Sequence, residues 1–154
     1  MPKIDIEKVP LVTGTGYPPP YRAMVEGRSK KRFGDAGGLT QYGVNLTTLK
    51  PGAASAHRHW HMNEDEFVYI ISGEAILVED SGETKLKAGE AASFPAGAAN
   101  GHHLVNRSAT DVIYLEVGAR AETETVAYTD PAIDLEAVKD ETGWRYQRRN
   151  GEPW

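Results

Sequence analysis

The chain contains no cysteine, which removes disulfides, thiolate metal sites and cysteine nucleophiles together. It has no run approaching the ~20 apolar residues of a membrane span. Its opening segment, MPKIDIEKVPLV, lacks the apolar centre and small-residue cleavage site of a secretion signal. A soluble, cytoplasmic protein without a membrane partner is the expectation. Positive charge is scarce too: 17 Lys and Arg against 22 Asp and Glu leave a net charge of −5, with no basic block at either end. Nucleic acid is therefore not an expected partner. No serine, histidine and aspartate arrangement stands out as a nucleophilic triad, and the glycines form no phosphate loop.

Long helical periods are also missing. TQYGVNLTTL, EFVYIIS, EAILVED, TKLKA, AASF, GHHLVN and DVIYLEVG are short, rich in β-branched and aromatic residues, and separated by turn signals such as PG at 51–52, SG at 72–73 and PAG at 95–97. Strands at such intervals predict an all-β antiparallel sandwich or barrel with little helix. The 154 residues suit one domain with a self-sufficient core. Within it, residues 1–38 read as an irregular N-terminal arm, 39–120 as the barrel, and 121–154 as a C-terminal arm docked on it. The one helical candidate is IDLEAVKDE at 133–141, following Pro131.

All five histidines lie in two short segments. In GAASAHRHWHMNEDEF, His57, His59 and His61 alternate, so in an extended chain His59 and His61 aim their imidazoles at one point, with His57 one step back. Glu66 opens the next strand and brings a carboxylate to the same place. A fourth donor is His102 or His103, which share a strand and face opposite ways. A solvated or hydrogen-bonded histidine cluster is the plain alternative. Clustered imidazoles repel one another when protonated, however, and a bound cation relieves that repulsion.

At these residues the sequence resembles the cupin superfamily. Gly52, His59, His61, Glu66 and Gly73 follow the family's first motif, with six residues rather than the usual five between Gly52 and His59, which keeps His57 as a minor rival. Gly89, Pro95, Gly97, His102 and Asn106 resemble the second, although Asn100 and Gly101 stand where the family places its histidine. Keeping the spacing from histidine to asparagine favours His102 over His103. The resemblance covers about residues 40–118 and implies a double-stranded β-helix, the cupin jelly-roll barrel. It implies one divalent transition metal (Mn, Fe, Ni or Zn) on His59, His61, Glu66 and His102. The flanking text resembles small bacterial cupins labelled as sugar-phosphate isomerases. That implies a metal-dependent enzyme on a small polar metabolite, isomerase-like ahead of dioxygenase-like, with a non-catalytic small-ligand sensor as the alternative.

Arg22, Arg28, Lys30, Lys31 and Arg32 could cover a barrel mouth and clamp a phosphate, although such a run more commonly forms a solvated flexible segment. Trp60, between two proposed ligands, and Tyr69 are expected to point away from the barrel interior. At most one of Tyr42 and Asn45 lines the pocket, and Asn106 is expected to hold a turn. Exposed sheet edges and two long arms suggest a homodimer with embracing arms.

Overall fold

The computed structural model describes residues 3–154 and contains two antiparallel sheets packed face to face. Its strands are β1 (Leu11–Thr13), β2 (Arg28–Arg32), β3 (Tyr42–Leu49), β4 (His59–His61), β5 (Glu66–Ser72), β6 (Glu74–Glu79), β7 (Gly82–Lys87), β8 (Ala91–Phe94), β9 (His102–Val105), β10 (Val112–Ala119), β11 (Glu124–Tyr128), β12 (Glu136–Asp140) and β13 (Gly143–Gln147). One sheet runs β1-β2-β3-β10-β5-β8 and the other β13-β12-β11-β4-β9-β6-β7. From β3 to β11 the chain passes from one sheet to the other at every step except the β6–β7 hairpin, the jelly-roll crossing pattern, while β1–β3 and β11–β13 are runs within one sheet. Among the described residues no helix is long and apolar enough to cross a membrane.

Period-two alternation explains what each strand buries. On β5, Val68 and Ile70 point inward and are buried, whereas Phe67, Tyr69 and Ile71 remain exposed. They meet Leu49, Leu77, Leu104, Val112 and Tyr114 in the core between the sheets. Gly73 makes the corner from β5 to β6 possible: its φ is +81°, and a Cβ there would lie 2.5 Å from the Asp111 carbonyl oxygen.

Two expectations need correction. The stretch 133–141 is not helical: Glu136–Asp140 is strand β12, paired with β11 and β13. Ile133, Leu135 and Ala137 are all buried, so the apolar positions carry a period of two, which the partial match to a helical face obscured. Nor are the arms irregular, since β1 and β2 extend one sheet and β11 to β13 extend the other. The basic run forms strand β2, followed by one helical turn, α1 (Phe33–Ala36). The two arms share a second core, in which Tyr17 and Val25 pack with Val126, Tyr128, Ile133, Leu135 and Ala137.

Candidate metal centre

Strand β4 lies between β11 and β9, with His59 directly opposite His102. Glu66 opens β5 in the facing sheet, so the centre bridges the two layers. The Nε2 atoms of His59, His61 and His102 stand 3.8, 3.4 and 3.0 Å from the same oxygen, Glu66 Oε2. Donor atoms of His59, His61 and Glu66 all lie within 4.8 Å of one another.

Two of the three opposite ring nitrogens have acceptors in hydrogen-bond reach, and that of His61 has none among the described residues. His59 Nδ1 donates to the His57 carbonyl at 2.7 Å, and His102 Nδ1 donates to the Asn100 carbonyl at 3.1 Å. His61 Nδ1 faces carboxylate oxygens of Glu124 at 3.8 Å and Glu64 at 4.0 Å. With the proton on Nδ1, the Nε2 lone pair of His59 or His102 turns towards Glu66, the tautomer that ligation requires; with the proton on Nε2, the His102 ring donates to Glu66 instead. Phe94 stacks on His102 with 3.6 Å between ring centroids and fixes its plane.

The electrostatics favour an ionised Glu66 beside a neutral His59. Burial pushes His59 down to about 4, overcoming the attraction of Glu66. His61 is also penalised by burial, yet Glu66, Glu124 and Glu64 outweigh that penalty and raise it. Burial would raise Glu66, but hydrogen bonds from His102 and His61 and the charge on His59 hold it well below the usual carboxylate range. A carboxylate ringed by three imidazole nitrogens fits a divalent transition metal, because one cation satisfies every inward lone pair.

His57 and His103 take no part in this convergence. His57 is buried between Tyr17 and Tyr21, and its Nε2 donates to the Tyr21 carbonyl at 2.7 Å. His103 Nδ1 donates to the Ala56 carbonyl at 2.8 Å, and burial lowers its pKa. Gly101 carries the unusual spacing before His102: it sits so close to Thr129 that an added Cβ would lie 2.6 Å from Thr129 Cγ2. Asn106 is fully buried and holds a turn, its Nδ2 donating to the Leu49 and Thr110 carbonyls.

Beside the histidines is a cavity of about 120 Å³ lined by Arg28, Lys30, Glu66, Phe94, Tyr114 and Glu116, among others. Lys30, Glu66 and Glu116 also line a wider mouth of about 320 Å³ with Arg32, Arg120 and Lys139. Arg28 and Lys30 thus belong to the pocket, correcting the view of the basic run as a solvated segment. Lys30 Nζ sits 2.7 and 3.1 Å from the two Glu116 oxygens, and Asn45 Nδ2 donates to Oε1 of the same carboxylate at 3.2 Å. Asn45 lines the mouth, whereas Tyr42 is exposed.

Sequence reasoning missed Glu116, Tyr114 and Glu124. A signal existed for two of them: Val112, Tyr114 and Glu116 alternate on one face of β10, so an acid occupies the inward parity of an apolar strand. Glu124 is almost completely buried and accepts the backbone N–H groups of Met62, Asn63 and Thr125.

A two-sheet jelly roll holding three histidines and a glutamate across its inner faces defines the class of protein. The cupin-domain family model matches residues 45–118, and the chain belongs to the cupin superfamily. A sugar phosphate isomerase of that superfamily from Silicibacter pomeroyi is 44% identical, over 99% of this chain and 96% of its own, with a TM-score of 0.94. A candidate sugar phosphate isomerase from Acidithiobacillus ferrooxidans is 28% identical over 80% of this chain and 77% of its own, with a TM-score of 0.73. A polyketide cyclase from Streptomyces resistomycificus shares the fold at 18% identity and a TM-score of 0.63, covering 77% of this chain and 79% of its own. No curated protein matches the chain by sequence.

Proposed function

We propose that the chain is a metal-dependent enzyme that isomerises a small sugar phosphate, with one divalent transition metal held by His59, His61, Glu66 and His102. The observation that carries this reading is the convergence of three Nε2 atoms on Glu66 Oε2, at 3.8, 3.4 and 3.0 Å. Three nitrogens and an oxygen suit manganese, iron, nickel or zinc. When such a metal is bound, the chemistry it supplies is Lewis-acid polarisation of a substrate carbonyl. Support for the sugar phosphate comes from the 44% identical Silicibacter pomeroyi protein.

The remaining work falls to the chain itself. Isomerisation moves one proton between neighbouring carbons and a second from the hydroxyl oxygen to the carbonyl oxygen, and Glu116 is the cavity carboxylate outside the histidine cluster. Glu116 takes the proton from the carbon beside the carbonyl and returns it to the carbonyl carbon, the hydroxyl proton is lost to solvent while the former carbonyl oxygen gains one from solvent, and Lys30 and Asn45 hold the carboxylate in position. The test is deuterium incorporation from solvent at that carbon, followed by NMR over aldose and ketose phosphates from trioses to hexoses. Exchange on at least one substrate, lost in Glu116→Gln, is expected. No exchange on any substrate by metal-replete protein would remove the isomerase reading and leave a small-ligand binding cupin.

We also propose a homodimer, formed through the outer face of the first sheet. Outward parity on β3, β10 and β5 presents Val44, Leu46, Leu115, Val117, Phe67 and Tyr69 in adjacent rows, with no charged residue among them. An apolar face of this kind is characteristic of an association surface.

A further inference from the structure

The cavity and its mouth differ in chemistry along one axis. At the deep end, Tyr114 is completely buried and lines the cavity, and its hydroxyl has no hydrogen-bond partner. Its cross-strand neighbour on β3, Thr47, is also fully buried with an unpartnered hydroxyl. A bond between the two would use one of their two O–H donors and leave the other unspent. An unspent buried donor costs about 1–3 kcal/mol, and Tyr114 is the member of the pair that lines the cavity, placed to meet an oxygen that the protein does not supply. Burial, with the nearby Glu116 charge, raises the Tyr114 pKa well above its ordinary value, and the group is a neutral donor.

Cations lie at the other end. Arg32, Arg120 and Lys139 line the mouth but not the cavity, together with the carboxylates of Asp35 and Glu64. Arg120 is paired with Asp35, whereas Arg32 reaches Asp35 only at 4.0 Å with its side chain 57% exposed. Lys139 is bound to the Ala121 carbonyl and, among the described residues, forms no ion pair with a carboxylate within 4.0 Å. The Lys30 and Glu116 pair forms the neck between the compartments, since both residues line both. A liquid-like water takes about 30 Å³, so a cavity of about 120 Å³ accommodates the end of a sugar phosphate and not the whole of it.

We propose that Tyr114, backed by Thr47 on the neighbouring strand, forms a carbonyl and hydroxyl subsite, and that the substrate enters this end first, leaving its phosphate in the mouth against Arg32 and Lys139. The ligand class is a phosphorylated α-hydroxy aldehyde or ketone. Tyr114 donates to the oxygen of the carbonyl or neighbouring hydroxyl, Glu116 stands beside the carbon chain at the neck, and the dianion stays in the wetter compartment. This deepens the isomerase reading and rests on it for the substrate class. The orientation, though, is a matter of binding and can be measured without turnover.

Three probes separate the two ends: dihydroxyacetone phosphate for the whole ligand, dihydroxyacetone for the carbonyl end, and inorganic phosphate for the anion. Their affinities would be measured by NMR titration against the parent, Tyr114→Phe, and the double variant Arg32→Ala with Lys139→Ala. Each protein would be assayed for metal content and, by circular dichroism, for intact folding. Tyr114→Phe should weaken dihydroxyacetone phosphate and dihydroxyacetone about tenfold, the loss of one buried hydrogen bond, and leave phosphate unchanged. The double variant should weaken dihydroxyacetone phosphate and phosphate and leave dihydroxyacetone unchanged. Equal affinity of parent and Tyr114→Phe for dihydroxyacetone phosphate would overturn the subsite, and a selective loss of phosphate binding in Tyr114→Phe would reverse the orientation. Absence of binding of any probe to the parent would overturn the ligand class. If the parent holds no metal yet the two variants show the expected pattern, the metal-dependent reading fails and the subsite stands.

Discussion

Removing the Glu124 carboxylate should damage both the fold and the histidine centre. The side chain is 2% exposed and accepts backbone N–H groups from Met62 at 2.9 Å, Asn63 at 3.0 Å and Thr125 at 2.6 Å. It thereby fastens the start of β11 to the segment leaving β4, which carries His61. Glu124→Ala leaves the Asn63 and Thr125 N–H groups without this acceptor, while Met62 N–H keeps the Thr125 carbonyl at 3.1 Å, for a total cost of about 2–3 kcal/mol. With a urea slope of about 2 kcal/mol/M, the unfolding midpoint should fall by about 1 M. Glu124→Gln keeps one acceptor oxygen and should lose about half as much. It also removes the charge that His61 Nδ1 faces at 3.8 Å, so metal affinity should drop by about ten- to a hundredfold even while the protein stays folded. Urea unfolding followed by circular dichroism, with metal titration of the Gln variant, checks both parts. A midpoint in Glu124→Ala within about 0.5 M of the parent would refute the reasoning.

Gly101→Ala would press a methyl group against Thr129 and should cost about 1–3 kcal/mol; thermal unfolding should show partial recovery when Thr129→Gly is added. Burial raises the pKa values of Tyr17, Tyr114 and Tyr128 and pushes Tyr146 up to about 12. A folded state that holds these protons more tightly is fully stabilised below about pH 10, the unfolded tyrosine value, and loses that stabilisation as pH rises through the folded values. In an alkaline titration these four tyrosines should therefore ionise together with the loss of circular dichroism, and early, gradual ionisation of all four would contradict it. Charging the outer sheet face with Phe67→Lys and Tyr69→Lys should convert a dimer to a monomer in sedimentation, whereas a parent already monomeric at about 10 μM would remove the dimer.

Much of the architecture was legible because the barrel strands alternate cleanly. EFVYIIS places Val68 and Ile70 on the core face and leaves Phe67 and Tyr69 outside, as strand parity requires. The pairing of His59 with His61, and the arrival of Glu66 from the next strand, followed from the same rule. The arms were not legible. Their strands are completed by partners far along the chain, as when β11 pairs with β4 and brings Tyr128 opposite His59, and local composition does not register such pairings. Ile133, Leu135 and Ala137 carried the right period, but their acidic and basic neighbours resembled a helix surface. Glu124 gave no sequence signal because its role is to gather backbone donors from a segment some sixty residues away. Glu116 could have been found from its inward parity on β10, where a charged residue in an apolar row calls for a partner such as Lys30.

The central claim is that His59, His61, Glu66 and His102 bind one metal. Its most direct test is elemental analysis of untagged protein as purified, beside His59→Ala and His102→Ala variants with folding verified by circular dichroism. The account predicts close to one divalent transition metal per chain in the parent and its loss in both variants. A parent that retains no metal even after incubation with manganese, iron, nickel or zinc, or variants that keep the parent's full content, would contradict it.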